Sequence, residues 1–300
     1  MFNSVKGFSL FISLERGFML LMITFGTVIL VGEGLYMPDM LHLGLIVFFG
    51  WCGVDAINNI FDRELDMASD RFRAEFTEKL GKLAPLLSLA FLALSLGLGV
   101  VTGISNGSLF IFLGILFGVI YSVPPFRLRQ TVLKPLVNFS VGSIPVLIVS
   151  AFYHALSIES SLLSLLVGVT TGVNSLWEDL ADYASDLTSR ARTFLIVFGL
   201  RRGIYLTILL GYLLVPLMIL VGLMYHLPPL YHVVLAGLVT YLTLRIIQKR
   251  GALFKEGSHS LLEIGKIFAR DFVFIAIVHT TNLMVSSYLR YGVRPLGGFI

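Results

Sequence analysis

Charge and cysteine are both scarce in this sequence of 300 residues. Only 13% of the residues are charged, and Cys52 is the single cysteine. Soluble domains carry about 25% charged residues, so the composition excludes an ordinary soluble domain. One cysteine excludes an intramolecular disulfide, and a small hydrophobic side chain is its expected role within an apolar run. With 56% hydrophobic residues and a mean hydropathy of +0.89, the sequence predicts an integral membrane protein.

A recognisable leader is also missing. No small-residue cleavage site follows the apolar patch near Lys6, so we expect no cleaved signal peptide. Residues 5–16 are predicted as an interfacial helix that ends at Glu15 and Arg16. The apolar runs that follow are each near the ~20 residues that cross a bilayer. They lie at about residues 17–35, 40–61, 83–103, 108–123, 135–155, 161–178, 203–224, 229–247 and 270–289.

We therefore predict an all-α polytopic membrane protein, with about nine transmembrane helices in one bundle and residues 1–300 as a single domain. Lys and Arg are missing from every second connection, at 34–41, 103–107, 153–160 and 225–231. They are frequent in the other connections, between residues 63 and 82, 127 and 134, 190 and 202, and 245 and 270. The positive-inside rule then predicts a cytoplasmic N-terminus and an outside C-terminus.

Carboxylates are missing from the middle of the apolar runs. Apart from Asp55, near the end of the second run, they gather at the cytoplasmic ends of two runs. A proton or ion transporter is expected to bury carboxylates nearer the midplane. The sequence instead predicts chemistry at a cytoplasm-facing cavity of the helical bundle.

The first acidic stretch carries an oxygen ligand at every fourth residue: Asn58, Asp62, Asp66 and Asp70. On one helix these residues drift by roughly 40° per step and share a face. Their carboxylates repel one another, so a divalent cation is the natural partner. Without His or Cys, the ligand set favours Mg²⁺ or Ca²⁺ over zinc. Taken alone, the stretch is also explained as a charged loop that caps a membrane helix.

A second acidic stretch changes that interpretation. Asp182 and Asp186 repeat the same spacing at the end of the sixth run, in the segment Asn174–Asp186. Two acidic rows at the ends of two membrane helices favour one explanation, a diphosphate bridged by metal ions. Between the fourth and fifth runs, Pro124 and Pro125 stop the helix after Tyr121. The turn is expected to aim Arg127 and Arg129 back toward the same cytoplasmic surface, where Arg binds phosphate oxygens.

These motifs resemble those of the UbiA-type prenyltransferase superfamily, and the Tyr-Ser-x-Pro-Pro turn resembles its chlorophyll-synthase-like and archaeal branch. The family motif NDxxDxxxD matches residues 58–66 except at Asn59, and DxxxD matches Asp182–Asp186. Thr193, and Arg16 before the first span, also fall where members often have these residues. Asn59 replaces an Asp, Asp70-Arg-Phe-Arg73 replaces the usual Lys-Pro-x-Arg-Pro, and Arg190 stands at a usual glycine.

The resemblance implies an intramembrane enzyme that moves a polyprenyl group from its diphosphate to a lipophilic acceptor, with Mg²⁺ as cofactor. The implied metal ligands are Asn58, Asp62, Asp66, Asp182 and Asp186. The four aspartates and Tyr121, an aromatic partner for the carbocation, are the implied catalytic residues. The implied diphosphate-binding residues are Arg16, Asn58, Arg71, Arg127 and Arg129. The expected partners are the prenyl diphosphate, the acceptor and the lipid bilayer, with no nucleic acid.

Several alternatives stay open on the sequence. The acceptor is an aromatic acid, a quinone precursor, a chlorophyllide or a prenylated glycerol phosphate. The same ionisation followed by ring closure gives a membrane terpene cyclase, and a bundle that binds lipid or ions without catalysis is the non-enzymatic alternative. Asp55 either restores the charge that Asn59 removes from the first row, or forms a hydrogen-bonded structural contact with a neighbouring helix.

Overall fold

The computed structural model describes residues 2–101, 105–253 and 258–293. These residues form helices joined by short connections, as the sequence predicts. The α-helices are α1 (Phe2–Phe11), α2 (Leu14–Val31), α3 (Met37–Phe61), α4 (Arg63–Ser69), α5 (Arg71–Leu80), α6 (Leu83–Val101), α7 (Ser105–Ser122), α8 (Lys134–Phe152), α9 (Ile158–Thr188), α10 (Phe194–Phe198), α11 (Leu200–Met224), α12 (Pro229–Leu253) and α13 (Ser258–Tyr291). One 3₁₀ turn covers Leu128–Gln130.

Eight helices in the described part of the chain are long and apolar enough to cross a membrane: α2, α3, α6, α8, α9, α11, α12 and α13. The fourth predicted span corresponds to a shorter apolar helix, Gly107–Ser122 within α7. The prediction of an all-α membrane protein with about nine spans is therefore confirmed. In α9 the apolar span ends at Tyr183, and the helix runs on to Thr188 with the second acidic stretch at its end.

The prediction of one interfacial helix over residues 5–16 is wrong in its boundaries. α1 ends at Phe11, and α2 already begins at Leu14. Ser13 between them has a φ of 41°, a left-handed conformation that does not propagate a right-handed helix. Arg16 consequently lies in the first turn of α2 and is exposed.

The chain divides into two compact units. Among the described residues, the first comprises those up to residue 127 and residues 144–156, and the second comprises residues 128–143 and those from 157 to 293. In the first unit, a buried apolar cluster joins Phe11 and Ile12, at the end of α1, to Cys52 and Ala56 of α3. Cys52 is fully buried there, in the small hydrophobic role expected of it. This cluster packs the C-terminal half of α3 against the α1–α2 junction.

In the second unit, close packing of α9 against α13 positions the second acidic stretch. A Cβ on Gly265 would lie 2.3 Å from the backbone nitrogen of Ala181, so only glycine permits this approach. Beside it the Trp177 ring stacks on Phe268, with ring centroids 4.6 Å apart. These contacts fix the last turns of α9, which carry the acidic side chains.

Candidate active site

The first acidic row extends across a break between two helices. Asp62 ends α3 with a φ of −97° and a ψ of 0°, and α4 begins at the next residue. The row nevertheless keeps its spacing, because backbone hydrogen bonds of 2.7–2.9 Å join Asn58, Asp62, Asp66 and Asp70 in steps of four. The single continuous helix that the sequence predicts for this row is therefore interrupted. The spacing of one row residue per helical turn is retained.

Arginines contact both central carboxylates of this row. Arg127 Nη2 lies 3.3 Å from Asp62 Oδ1 and also donates to the Phe61 carbonyl. Arg73 Nη2 lies 3.0 Å from Asp66 Oδ2. Asp62 is fully buried and Asp66 nearly so. Buried carboxylates require paired charges, and here the arginines supply them.

Asn58 is held from a second helix. Ser122 Oγ, at the end of α7, donates a 2.8 Å hydrogen bond to Asn58 Oδ1. Tyr121 precedes it in the chain and is half-buried. The Tyr-Ser pair and the arginine turn that follows it are therefore anchored to the first acidic row through Ser122 and Arg127.

Asp55 and Asn59 face the α1–α2 junction. Asp55 Oδ2 accepts hydrogen bonds from Ser13 Oγ and from Asn59 Nδ2, at 2.5 and 3.0 Å. Asn59 Nδ2 also donates to the Phe11 carbonyl at 2.8 Å. Arg16 lies close enough to Asp55 to interact with it electrostatically. Of the two alternatives for Asp55, the structure therefore contains the hydrogen-bonded structural contact.

Arg71 has a different environment from the other predicted anion-binding residues. Its side chain is 80% exposed and pairs with Glu75 on the same helix at 2.7 Å. Two residues later, Arg73 turns inward to Asp66. The role of Arg71 in diphosphate binding stays a prediction.

The second acidic cluster is formed by Glu178, Asp179, Asp182 and Asp186 at the end of α9, together with two cations, Arg129 and Lys134. Lys134 Nζ forms a 2.6 Å ion pair with Asp179 Oδ1, and both residues are buried. Thr193 Oγ1 donates to Asp186 Oδ2 at 2.8 Å. Arg129 interacts electrostatically with all four carboxylates.

Burial changes the proton affinities of two side chains in this cluster, Asp186 and Arg129. Burial raises the pKa of Asp186 from 3.8 to about 6, and the hydrogen bond from Thr193 opposes this shift. Burial likewise lowers the pKa of Arg129, and the surrounding carboxylates oppose that shift. Arg129 remains charged at neutral pH, since arginine does not deprotonate in proteins.

Arg190, which replaces a usual glycine of the family motif, has a φ of 56°. This left-handed conformation favours glycine, which explains why glycine is usual at the position. The chain leaves α9 here, and the Arg192 amide then donates to the Gln130 carbonyl at 2.8 Å. The turn thus aligns the segment that carries Arg129 with the end of the second acidic row.

The carboxylate oxygens of both clusters suit a hard cation, and the guanidinium groups beside them suit an anion. No three His, Cys, Asp or Glu side chains within the described ranges are already grouped as a metal site. Asp179 Oδ2 is buried and has no hydrogen-bond partner there, and the same holds for the donor Arg127 Nε. An open carboxylate oxygen fits a metal with oxygen ligands, and an open guanidinium N–H fits a phosphate oxygen. Because arginines already contact Asp62 and Asp66, a metal ion must either share these carboxylates with the arginines or displace the arginines.

Several members of these clusters are not predicted by the sequence. The positive-inside rule alone explains a positive charge at Arg73 and at Lys134, so their positions indicate membrane orientation and not a site. Ser122 and Asp179 lie inside the motif segments, but nothing in their spacing distinguishes them from their neighbours. The family resemblance points to Thr193, and the structure places its hydroxyl on Asp186.

Solved structures share the fold of this chain. No curated protein matches the chain. A digeranylgeranylglyceryl phosphate synthase structure superposes with a TM-score of 0.68 at 18% identity, covering 95% of this chain and 98% of that one. A UbiA homolog from Archaeoglobus fulgidus bound to DMAPP and Mg²⁺ gives a TM-score of 0.58 at 20% identity, covering 92% and 99%.

The same homolog bound to GPP and Mg²⁺ also gives a TM-score of 0.58. At these identities the structures establish a shared fold. A family model matches residues 19–253, which include both acidic motifs and the turn between them. The chain therefore belongs to the UbiA prenyltransferase family.

Proposed function

We propose that the protein transfers a prenyl group from a prenyl diphosphate to a lipophilic acceptor. The observation that carries the proposal is the pairing of Arg127 with the buried Asp62, in which the buried Nε–H of the arginine has no hydrogen-bond partner among the described residues. An open, buried arginine donor beside carboxylates suits a diphosphate that arrives with a divalent cation. Family membership and the prenyl diphosphates bound to the related archaeal protein support the same function.

The residues of each cluster have distinct roles in this reaction. Asp62, Asp66, Asp182 and Asp186, with Asn58, would hold Mg²⁺, which when bound would neutralise the charge of the diphosphate and so favour its departure. Arg127 and Arg129 donate to the diphosphate oxygens as the allylic C–O bond breaks and its electron pair moves to the leaving group. Arg16 and Arg71 extend this cationic environment.

The allylic cation then meets the acceptor away from water. Tyr121, which precedes Ser122 at the end of α7, stabilises the positive charge by a cation–π contact. The apolar helices exclude water, which would otherwise capture the cation. An electron-rich carbon or an oxygen of the acceptor forms the new bond and loses a proton.

We further propose that residues 1–300 act as one catalytic domain in the membrane. The distribution of Lys and Arg among the connections supports a cytoplasmic N-terminus and active site and an outside C-terminus. A cysteine scan with a membrane-impermeant thiol reagent, in a Cys52→Ala background, tests this orientation. Labelling of a cysteine at position 3 from outside intact cells would contradict it.

Diphosphate release from labelled prenyl diphosphates tests the activity. The protein is reconstituted in nanodiscs with Mg²⁺ and a panel of acceptors that begins with a prenylated glycerol phosphate. We expect release that requires an acceptor, stops with EDTA, and is lost in Asp62→Asn and in Asp182→Asn. Cyclised product without an acceptor would indicate a terpene cyclase, and binding without release would indicate a carrier.

A further inference from the structure

The helices α12 and α13 carry basic residues where they reach the membrane surface. α12 has 25 residues, more than the ~20 that cross a bilayer, so its C-terminal turns extend to that surface. They carry Lys249 and Arg250, and the start of the α13 span carries Lys266 and Arg270. α12 is also the least buried of the eight described spans, so lipid covers most of its surface.

A buried carboxylate fixes the register between these two helices. Arg245 Nε donates to Asp271 Oδ2 at 2.7 Å, and the Tyr241 hydroxyl donates to Asp271 Oδ1 at 3.0 Å. The Tyr241 ring also contacts the Phe274 ring, with centroids 5.5 Å apart. α12 and α13 are therefore antiparallel here, and each turn toward the end of α12 corresponds to one turn toward the start of α13.

This register arranges cations in two pairs, one helical turn apart. Arg270 lies level with Arg245, and it is close enough to Tyr241 to interact with it electrostatically. Lys249 lies one turn after Arg245 on the same face of α12. Lys266 lies one turn before Arg270 on α13, so the register places the two lysines level with each other.

Three of these cations keep their charge available to a ligand. Lys249, Lys266 and Arg270 form no ion pair with another described residue, although Glu263 lies three residues before Lys266. Lys266 and Arg270 are exposed, and Lys249 is half-buried. The positive-inside rule explains positive charge at this end of a span, but it does not require the charges to stay unpaired. Between residues 62 and 82, by contrast, acidic residues are as frequent as basic ones, and two arginines there pair with carboxylates.

The exposed face of α13 continues into the membrane as an apolar surface. Phe274 and Ile277 follow Arg270 by four and seven residues, so they lie on the same face. Their side chains are 49% and 45% exposed. Cations at the membrane boundary with apolar side chains beneath them match the phosphate and the acyl chain of a phospholipid. A soluble anion would use only the cations.

We propose that α12 and α13 form a binding site for an anionic phospholipid. Lys249, Lys266 and Arg270 bind its negatively charged headgroup, and Phe274 and Ile277 contact an acyl chain. In the orientation proposed above, the lipid lies in the cytoplasmic leaflet, where basic residues next to a span attract anionic lipids. This site goes beyond the proposed prenyl transfer and does not depend on it.

Native mass spectrometry of the full chain in detergent, without prenyl diphosphate, measures lipid binding directly. The probes are phosphatidylglycerol, which is anionic, and phosphatidylcholine, which is zwitterionic. We expect the wild type to bind phosphatidylglycerol more tightly. Lys266→Gln/Arg270→Gln is expected to lose roughly tenfold in affinity for phosphatidylglycerol, because it removes two of the three charge contacts. Lys266→Arg/Arg270→Lys keeps both charges and is expected to bind as the wild type does.

The matched control is Lys79→Gln/Lys82→Gln, which removes two exposed cations from another connection and is expected to leave the affinity unchanged. Equal affinity of the wild type for the two lipids would overturn the proposal, and so would unchanged phosphatidylglycerol binding in Lys266→Gln/Arg270→Gln. An equal loss in the control would also overturn it, because any basic surface would then suffice. Displacement of the lipid by inorganic phosphate would show a site for soluble anions instead.

A second measurement uses the wild type alone and does not depend on the folding of any variant. Phosphatidylglycerol is expected to raise the unfolding temperature in detergent more than phosphatidylcholine does. Because the headgroup contacts are electrostatic and lie at the membrane surface, added salt is expected to reduce this difference. A difference that persists at high salt, or no difference at low salt, would contradict the proposed site.

Discussion

Asn59 Nδ2 donates a 3.0 Å hydrogen bond to Asp55 Oδ2, one helical turn earlier on α3. The same nitrogen donates to the Phe11 carbonyl at 2.8 Å. An ionised aspartate carries no hydrogen to donate, so it cannot make either bond. The departure from the family motif at this position therefore has a structural cause. Here Asn59 ties the α1–α2 junction to α3, and Arg16 lies in the first turn of α2, just beyond that junction.

Asn59→Asp is expected to destabilise the protein, because it removes buried hydrogen bonds and sets a second carboxylate beside Asp55. Losing a buried partner costs about 1–3 kcal/mol, and like charges add to the cost. Thermal unfolding in detergent measures the effect, which added Mg²⁺ is not expected to reverse. Exchanging the two residues, Asp55→Asn with Asn59→Asp, still sets a carboxylate against the Phe11 carbonyl. Wild-type stability in that double variant would contradict the structural role.

The membrane helices could be predicted from the sequence, whereas most contacts at the candidate site could not. Hydropathy and length determine a span locally, so eight spans and the shorter α7 fall where the apolar runs are. The pairing of Arg73 with Asp66 depends on the angle between the consecutive helices α4 and α5, and that of Lys134 with Asp179 depends on how α8 packs against α9. A single sequence holds no signal for which basic residue at the end of a span turns inward. The α1–α2 break likewise depends on one left-handed residue, Ser13.

Arg127→Ala is expected to raise the Michaelis constant for the prenyl donor. A charge-assisted hydrogen bond to a desolvated anion contributes about 1.5–3 kcal/mol, which corresponds to roughly tenfold or more in affinity. Steady-state diphosphate release at varied donor concentration measures the change. Lys79→Ala, an exposed residue of α5, is the matched control for loss of a positive charge. An unchanged Michaelis constant for Arg127→Ala would mean that this arginine serves only Asp62 and membrane orientation.

Arg190→Gly is expected to stabilise the turn after α9. The φ of 56° costs a non-glycine residue roughly 1–2 kcal/mol, and glycine's greater freedom in the unfolded chain offsets part of this gain. Arg190→Val at the same site is expected to destabilise, since β-branched residues tolerate this conformation least. The unfolding temperatures of both variants check the prediction. A lower temperature for glycine than for valine would show that the Arg190 side chain itself stabilises the turn.

Asp186 is expected to make the stability of the metal-free protein depend on pH. Its pKa is raised from 3.8 to about 6 by burial, so between these values the folded chain holds a proton that the unfolded chain has lost. The contribution of this group to stability therefore falls as pH rises from about 4 to about 6, and then stays constant. Asp186→Asn cannot titrate. We measure both proteins in EDTA and subtract the unfolding temperature of the wild type from that of Asp186→Asn. This difference is expected to rise from about pH 4 to about pH 6 and to stay constant at higher pH. Glu75→Gln, at an exposed carboxylate, controls for removal of a charge. A constant difference between Asp186→Asn and wild type from pH 4 to 6 would contradict the raised pKa.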